Sequence, residues 1–209
     1  MDLEAERACH ELLLRLAGRL DDRLLWRYRD WLGEGALGTL ARTLPKSLLK
    51  YRIDLGEPDH QLLVTGLLPH GADRNQVSSL LAVDEPTTSE YTFMQHTPEQ
   101  TDTVDPVSAL LHAMLRGRPE VGEVRESWRQ QHNQEDDTPP RRVLLVTATT
   151  GQPRLTGELQ RVLRVLGELE PSVEVLPDDL QLPQYHAAAL TQSRLVCLGA
   201  ATGQGLVPA

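Results

Sequence analysis

Cysteine is almost missing from this chain of 209 residues, and the two present, Cys9 and Cys197, stand near its opposite ends. So sparse a set excludes a disulfide framework and the paired spacing of a zinc site. Long apolar runs are missing too. The longest aliphatic stretch, Val143 to Val146, falls far short of the roughly 18 residues that a bilayer crossing needs. The opening Met1, Asp2, Leu3, Glu4 is acidic where a signal peptide is basic. These absences predict a cytoplasmic protein with no membrane partner. Lysine is scarce as well: Lys46 and Lys50 are the only two among 21 basic residues. That arginine bias accompanies high-GC bacterial genomes and fits an actinobacterium-like origin. With a formal net charge of -9, the chain lacks the cationic surface that displaces phosphate counterions, so no nucleic-acid partner is expected. The acidic excess sits in residues 61–140, which carry 13 acidic and 5 basic side chains.

Chemical motifs are missing in the same way. The seven histidines show no HxH, HExxH or paired i, i+4 spacing, so no metal site is predicted. The Thr147–Gln152 loop lacks GxGxxG spacing and has no lysine for a GxxxxGK[ST] loop, and the chain holds no GxSxG elbow, so the nucleotide signal there is weak, a serine hydrolase of that class is unsupported and no cofactor is implied. No internal repeat recurs, so a repeat array is not supported.

What is present is helical periodicity followed by an alternation of strands and helices. Leu3, Cys9, Leu12, Leu13, Leu16 and Ala17 form one helical stripe ended by Gly18. Asp21 and Asp22 open a second helix with Leu24, Leu25, Tyr28, Trp31 and Leu32 on its apolar side, stopped at Gly33 and Gly35. A third over 36–44 is closed by Pro45 and a fourth covers 46–53; Pro58 and the Asp73–Gln76 capping pair open two more. Tyr91 to Met94 reads as a short extended piece, and Asp105 with Pro106 starts a helix through Met114. Residues 121–131 fit either a helix or an edge strand, and 130–140 read as a polar linker.

From residue 141 the order is strand (Val143–Val146), helix (Leu155, Leu159, Val162, Leu163, Leu166 and Leu169 on one face), strand (Val173, Val175), helix (183–190), strand (Leu195–Leu198). Such an order predicts parallel strands joined by crossovers. The expected fold class is α/β: a helical region over 1–83, an acidic connecting segment over 84–140 with one helix and possible edge strands, and a small parallel sheet of three to five strands over 141–209 with a flexible C-terminal tail.

Two sets of residues are candidates for function. Parallel sheets gather ligands at the carboxyl ends of their strands, where Thr147, Thr149, Thr150 and Gly151 precede a helix N-terminus suited to an anion and Asp178 follows the next strand. The second set is Trp26 with Arg23 and Arg27, in a helix where aromatics and arginines interleave as they do at protein interfaces. Asp178 and Asp179 with the run Ala189 to Val196 resemble the end of the helix and third strand of Toll/interleukin-receptor-like and related nucleoside-processing domains. Those enzymes' catalytic glutamate has no counterpart here, so the resemblance implies no site residue. The residues favour a non-catalytic interaction or regulatory accessory protein with a protein partner. The alternative is a small-ligand or nucleotide-binding protein, or an enzyme, using the Thr147–Gln152 loop.

Overall fold

A computed structural model of the chain describes residues 2–80, 83, 91–96, 105–131 and 139–201. Its helical part comprises α1 (Leu3–Arg15), α2 (Asp22–Gly33), α3 (Leu37–Tyr51), α4 (Glu57–Leu67) and α5 (Arg74–Ser79). Asp2, Asp21 and Asp73 cap α1, α2 and α5 by accepting backbone N–H groups. Where the sequence predicts two helices divided at Pro45, α3 runs straight through it. Proline denies the helix one hydrogen bond, at about 3 kcal/mol. Against that, Leu37, Leu40, Leu44 and Leu48 lie buried along one continuous face, each worth about 2 kcal/mol, so the longer helix wins. Together the five helices enclose a core centred on Leu12, Leu13, Leu16, Leu40, Leu44 and Leu63.

The second part is a five-stranded sheet of β1 (Tyr91–Met94), β2 (Val121–Gln131), β3 (Arg141–Ala148), β4 (Ser172–Pro177) and β5 (Arg194–Leu198). As expected, β3 and β4 are parallel, joined through α7 (Gln152–Val165). The rest of the sheet is not parallel. β2 is neither helix nor edge strand: it pairs antiparallel with β3 along one side, and with β5 and then β1 along the other. It therefore separates β5 from β3, although β5 keeps the direction the crossover order implies. Central strands are usually apolar, and this one escaped that pattern because Glu126, Ser127 and Arg129 are buried within it. Glu126 accepts hydrogen bonds from Arg142, Arg194 and Ser108, so the buried charge is compensated. The segment 84–140 thus supplies two strands, and Gln130 and Gln131 belong to β2. Of the rest of the expected linker, Pro139 and Pro140 are in neither helix nor strand; residues 132–138, and the expected tail over 202–209, lie outside the described residues.

Each face of the sheet is covered. On one, Val124, Leu144, Val146, Val173 and Val175 pack under α7 and under α6 (Pro106–Leu115). On the other, Phe93, Val143, Leu145 and Leu176 meet Leu14 of α1 and Ala189 and Leu190 of α8 (Gln184–Thr191).

Edge strand β4 faces the helical part, and two of its carbonyls are taken by helix side chains. His10 Nε2 donates to the Val175 carbonyl at 2.8 Å, and Arg29 Nη1 donates to that of Val173 at 3.0 Å. Arg29 also grips Glu174 with both terminal nitrogens, at 2.7 and 2.6 Å, and donates to the Leu13 carbonyl at 3.1 Å. His186 and Ser172 donate to the same carboxylate. Burial alone would raise the Glu174 pKa, but the Arg29 charge and the His186 hydrogen bond bring it down to about 2. His10 is also lowered, here by burial itself, against its bond to Val175, to about 4 from 6.5.

A base with a depressed folded pKa stabilises the fold fully above its unfolded value, and that contribution fades as pH falls through the folded one. For His10 the window runs from 6.5 down to about 4, with a contribution on the order of 3 kcal/mol. Glu174 takes over below its ordinary 4.5, toward about 2. The melting temperature is therefore expected to fall steadily from neutral pH to mildly acid pH, and His10→Gln should remove most of that fall above the carboxylate range. A flat profile in the parent protein would contradict a neutral, buried His10.

Candidate functional site

Helix α7 carries a candidate site at each end. It starts where Gly151 adopts a left-handed backbone, φ +68°, directly after β3. There Thr149, Thr150 and Gly151, with Arg154 and Glu158 of α7 and Arg118 from the α6–β2 turn, line an open cleft of about 510 Å³. Arg118 donates to Glu120 and Glu158, each at 2.7 Å, and these bonds raise its pKa further. Arg154 is exposed and has no ion-pair partner among the described residues. Of the five residues the sequence proposes for this site, three line the cleft and two do not. Thr147 accepts the Glu123 N–H at 2.6 Å and so belongs to the β2–β3 ladder. Asp178 is exposed beyond β4 and outside the lining, while its neighbour Asp179 pairs with Arg7. Arg154 and Arg118, which the sequence reading missed, bring two cations to the cleft, equal in number to the carboxylates Glu120 and Glu158 of its lining; Arg154 was visible as a cation in the first turn of the predicted helix.

Helix α7 lies along α2 from its first turn to its last. The two helices run antiparallel and very close: a Cβ on Gly33 would lie 2.7 Å from the Pro153 carbonyl oxygen and 3.3 Å from Gly157 Cα. Farther along, Arg161 pairs with Asp30 at 2.9 Å, and the Arg164 guanidinium sits 4.3 Å from the centre of the Trp26 ring. Arg27 approaches the same ring at 6.0 Å. Trp26 is therefore half-buried in a helix seam rather than free on the surface. Arg23 is exposed, 3.9 Å from Glu170. Arg29, on the same helix, is the buried partner of Glu174.

The periodicity of α7 predicts Leu166 and Leu169 on its buried face, and here the structure differs. Helix α7 ends at Val165; Gly167 turns the chain with φ +100°, and the Glu168 N–H donates to the Leu163 carbonyl at 3.0 Å. The helical phase is lost at that turn. Beyond it Leu169 is 77 % exposed; before it Val165 is 88 % and Leu166 40 % exposed. Arg164 contacts Trp26 before this turn and Glu170 approaches Arg23 after it, so the segment that carries the three apolar residues runs beside the first turns of α2.

A smaller cleft, about 220 Å³, opens nearby between Asp22, Tyr91, Arg129, Arg141 and Glu170. Its charges answer one another: Arg129 donates to Asp22 and to the Tyr185 hydroxyl, and Arg141 to Asp22 and Glu170. Among the described residues no cluster of three or more His, Cys, Asp or Glu side chains is placed to hold a metal ion.

The seam yields a test of sign. Replacing glycine by alanine within a helix ordinarily stabilises by about 0.5–1 kcal/mol. Gly38→Ala in α3, where the added carbon would meet nothing closer than 3.5 Å, should follow that rule. Gly33→Ala is expected to reverse it and cost about 1–3 kcal/mol in urea denaturation, because the clash is with backbone. A Gly33→Ala protein as stable as its parent would rule out so close an approach of α2 and α7.

Comparison with family models, with curated proteins and with solved structures finds no match for this chain.

Proposed function

We propose that this chain is a non-catalytic interaction or regulatory accessory protein that engages a protein partner at the corner where α2 meets the C-terminal end of α7. The observation that carries this reading is the exposure of Val165, Leu166 and Leu169 beside Trp26. An exposed side chain of that size forgoes about 1.5–3 kcal/mol of burial, and a cluster of them rimmed by arginine and tryptophan has the composition that dominates binding energy at interfaces. Photo-crosslinking amino acids at positions 165 and 169 provide the test, with exposed position 74 on α5 as the control. In the native host, positions 165 and 169 are expected to join one and the same protein, and position 74 not to. Unrelated products at 165 and 169, or equal capture from 74, would overturn the reading.

The cleft at the start of α7 supports a second reading, a site for a small anionic ligand such as a nucleotide. In its favour is Arg154, a cation without a carboxylate beside the hydroxyls of Thr149 and Thr150. ATP or inorganic phosphate in excess is expected to raise the melting temperature of the parent protein through binding linkage, and to leave Arg154→Ala unmoved. No shift with either ligand would remove this reading.

A further inference from the structure

We infer that the α2–α7 corner is built for an acidic amphipathic segment of a partner protein, one that lays leucine-sized side chains on Val165, Leu166 and Leu169 and sets carboxylates against Arg27 and Arg164. The inference rests on the interaction reading above and adds the chemistry of the partner. It starts from a local imbalance of charge. The chain has 30 acidic residues against 21 basic ones, and the arginines around the corner, Arg23, Arg141 and Arg161, each approach a carboxylate. Arg27 and Arg164 have no ion-pair partner among the described residues and are held over the ring of Trp26 instead, at 6.0 and 4.3 Å. Two uncompensated cations fixed beside an exposed apolar cluster make a complementary surface for carboxylates and a repulsive one for lysine and arginine.

The support beneath the cluster is firm. Near the corner α7 is tied to α2 by the Arg161–Asp30 pair and the Arg164–Trp26 contact, and the turn carrying Leu166 and Leu169 is closed by the Glu168 to Leu163 hydrogen bond. A surface held in place loses less freedom on binding. An anionic membrane would match the same pairing of arginine and apolar groups. The net charge of -9 opposes that surface, and two cations fall short of the cluster of about four or more that such recognition uses.

Selection of displayed random peptides of about 16 residues, some four helical turns, on the full-length protein tests the inference without assuming a sequence. Peptides rich in Asp and Glu around a leucine-like stripe are expected to emerge. They should bind Val165→Asp/Leu169→Asp at least about tenfold more weakly than the parent, and Arg27→Glu should shift the selection toward basic peptides. All three substituted residues are exposed, and circular dichroism checks that each variant folds. Peptides that need Val165 and Leu169 but carry no acidic bias would overturn the inference and leave the corner as an interface. Peptides indifferent to those two residues, or none at all, would overturn both. Sedimentation of the parent protein with phosphatidylserine vesicles, lost in Val165→Asp/Leu169→Asp, would overturn the inference in favour of a lipid surface.

Discussion

The bidentate pair of Arg29 with Glu174 is the contact on which the joining of the two parts depends. Both side chains are almost wholly out of water, where each charge costs several kcal/mol to place, and such a pair is often no more stabilising than apolar residues packed in the same space. What it imposes is position. Arg29 comes from α2, Glu174 from β4, His186 from α8, and the Leu13 carbonyl that also binds Arg29 from α1. Any sliding of the helices along β4 would strand two charges and two carbonyls without partners. The same bonds occupy an edge strand, so the helical part covers a sheet edge that would otherwise be open to another chain.

A second buried carboxylate repeats this logic at the centre of the sheet. Glu126 of β2 meets Arg142 of β3 and Arg194 of β5, and Arg142 in turn stacks on Trp128 at 4.7 Å and binds Asp105 at the start of α6. Hydrogen bonding by Arg142 and Ser108 more than offsets burial and keeps the Asp105 carboxyl below its ordinary pKa. Arginine thus does in both networks what lysine does less well: a planar fork satisfies several acceptors at once, a carboxylate and two carbonyls for Arg29 and the carboxylates of Asp105 and Glu126 for Arg142. The scarcity of lysine has a structural counterpart in these two networks.

These networks also mark where the sequence stopped being legible. Elements with strong apolar periodicity, such as α1, α2 and the β3–α7–β4 unit, were readable because leucine and valine dominate their buried faces. β2 was not, since its buried positions include Glu126, Ser127 and Arg129, and a polar residue in sequence reads as exposed. The signals existed in part: Arg29 lies four residues after Leu25 and three before Leu32, on the buried stripe of α2, and Glu174 sits between Val173 and Val175. Each placed a charge where the pattern called for burial. The site residues divide in the same way. Thr149, Thr150 and Gly151 follow from the position of a strand end, which the local sequence fixes. The exposure of Leu169 depends on a single left-handed glycine that breaks the phase, and the half-burial of Trp26 depends on a helix more than a hundred residues away.

Both candidate surfaces belong to one rigid element. With 14 residues in α7, its ends lie about 20 Å apart at 1.5 Å per residue, so the strand-end cleft and the apolar corner are too distant for one small ligand to bridge. They are also too closely tied to move independently, because α2 packs along the helix between them through Gly33, Asp30 and Trp26. A partner docked at the corner leaves the cleft open, and a ligand in the cleft leaves the corner open. The interaction and ligand readings therefore do not exclude each other. Substitutions at Arg154 report on the cleft and substitutions at Val165 and Leu169 on the corner, with no shared contact through which one set would disturb the other.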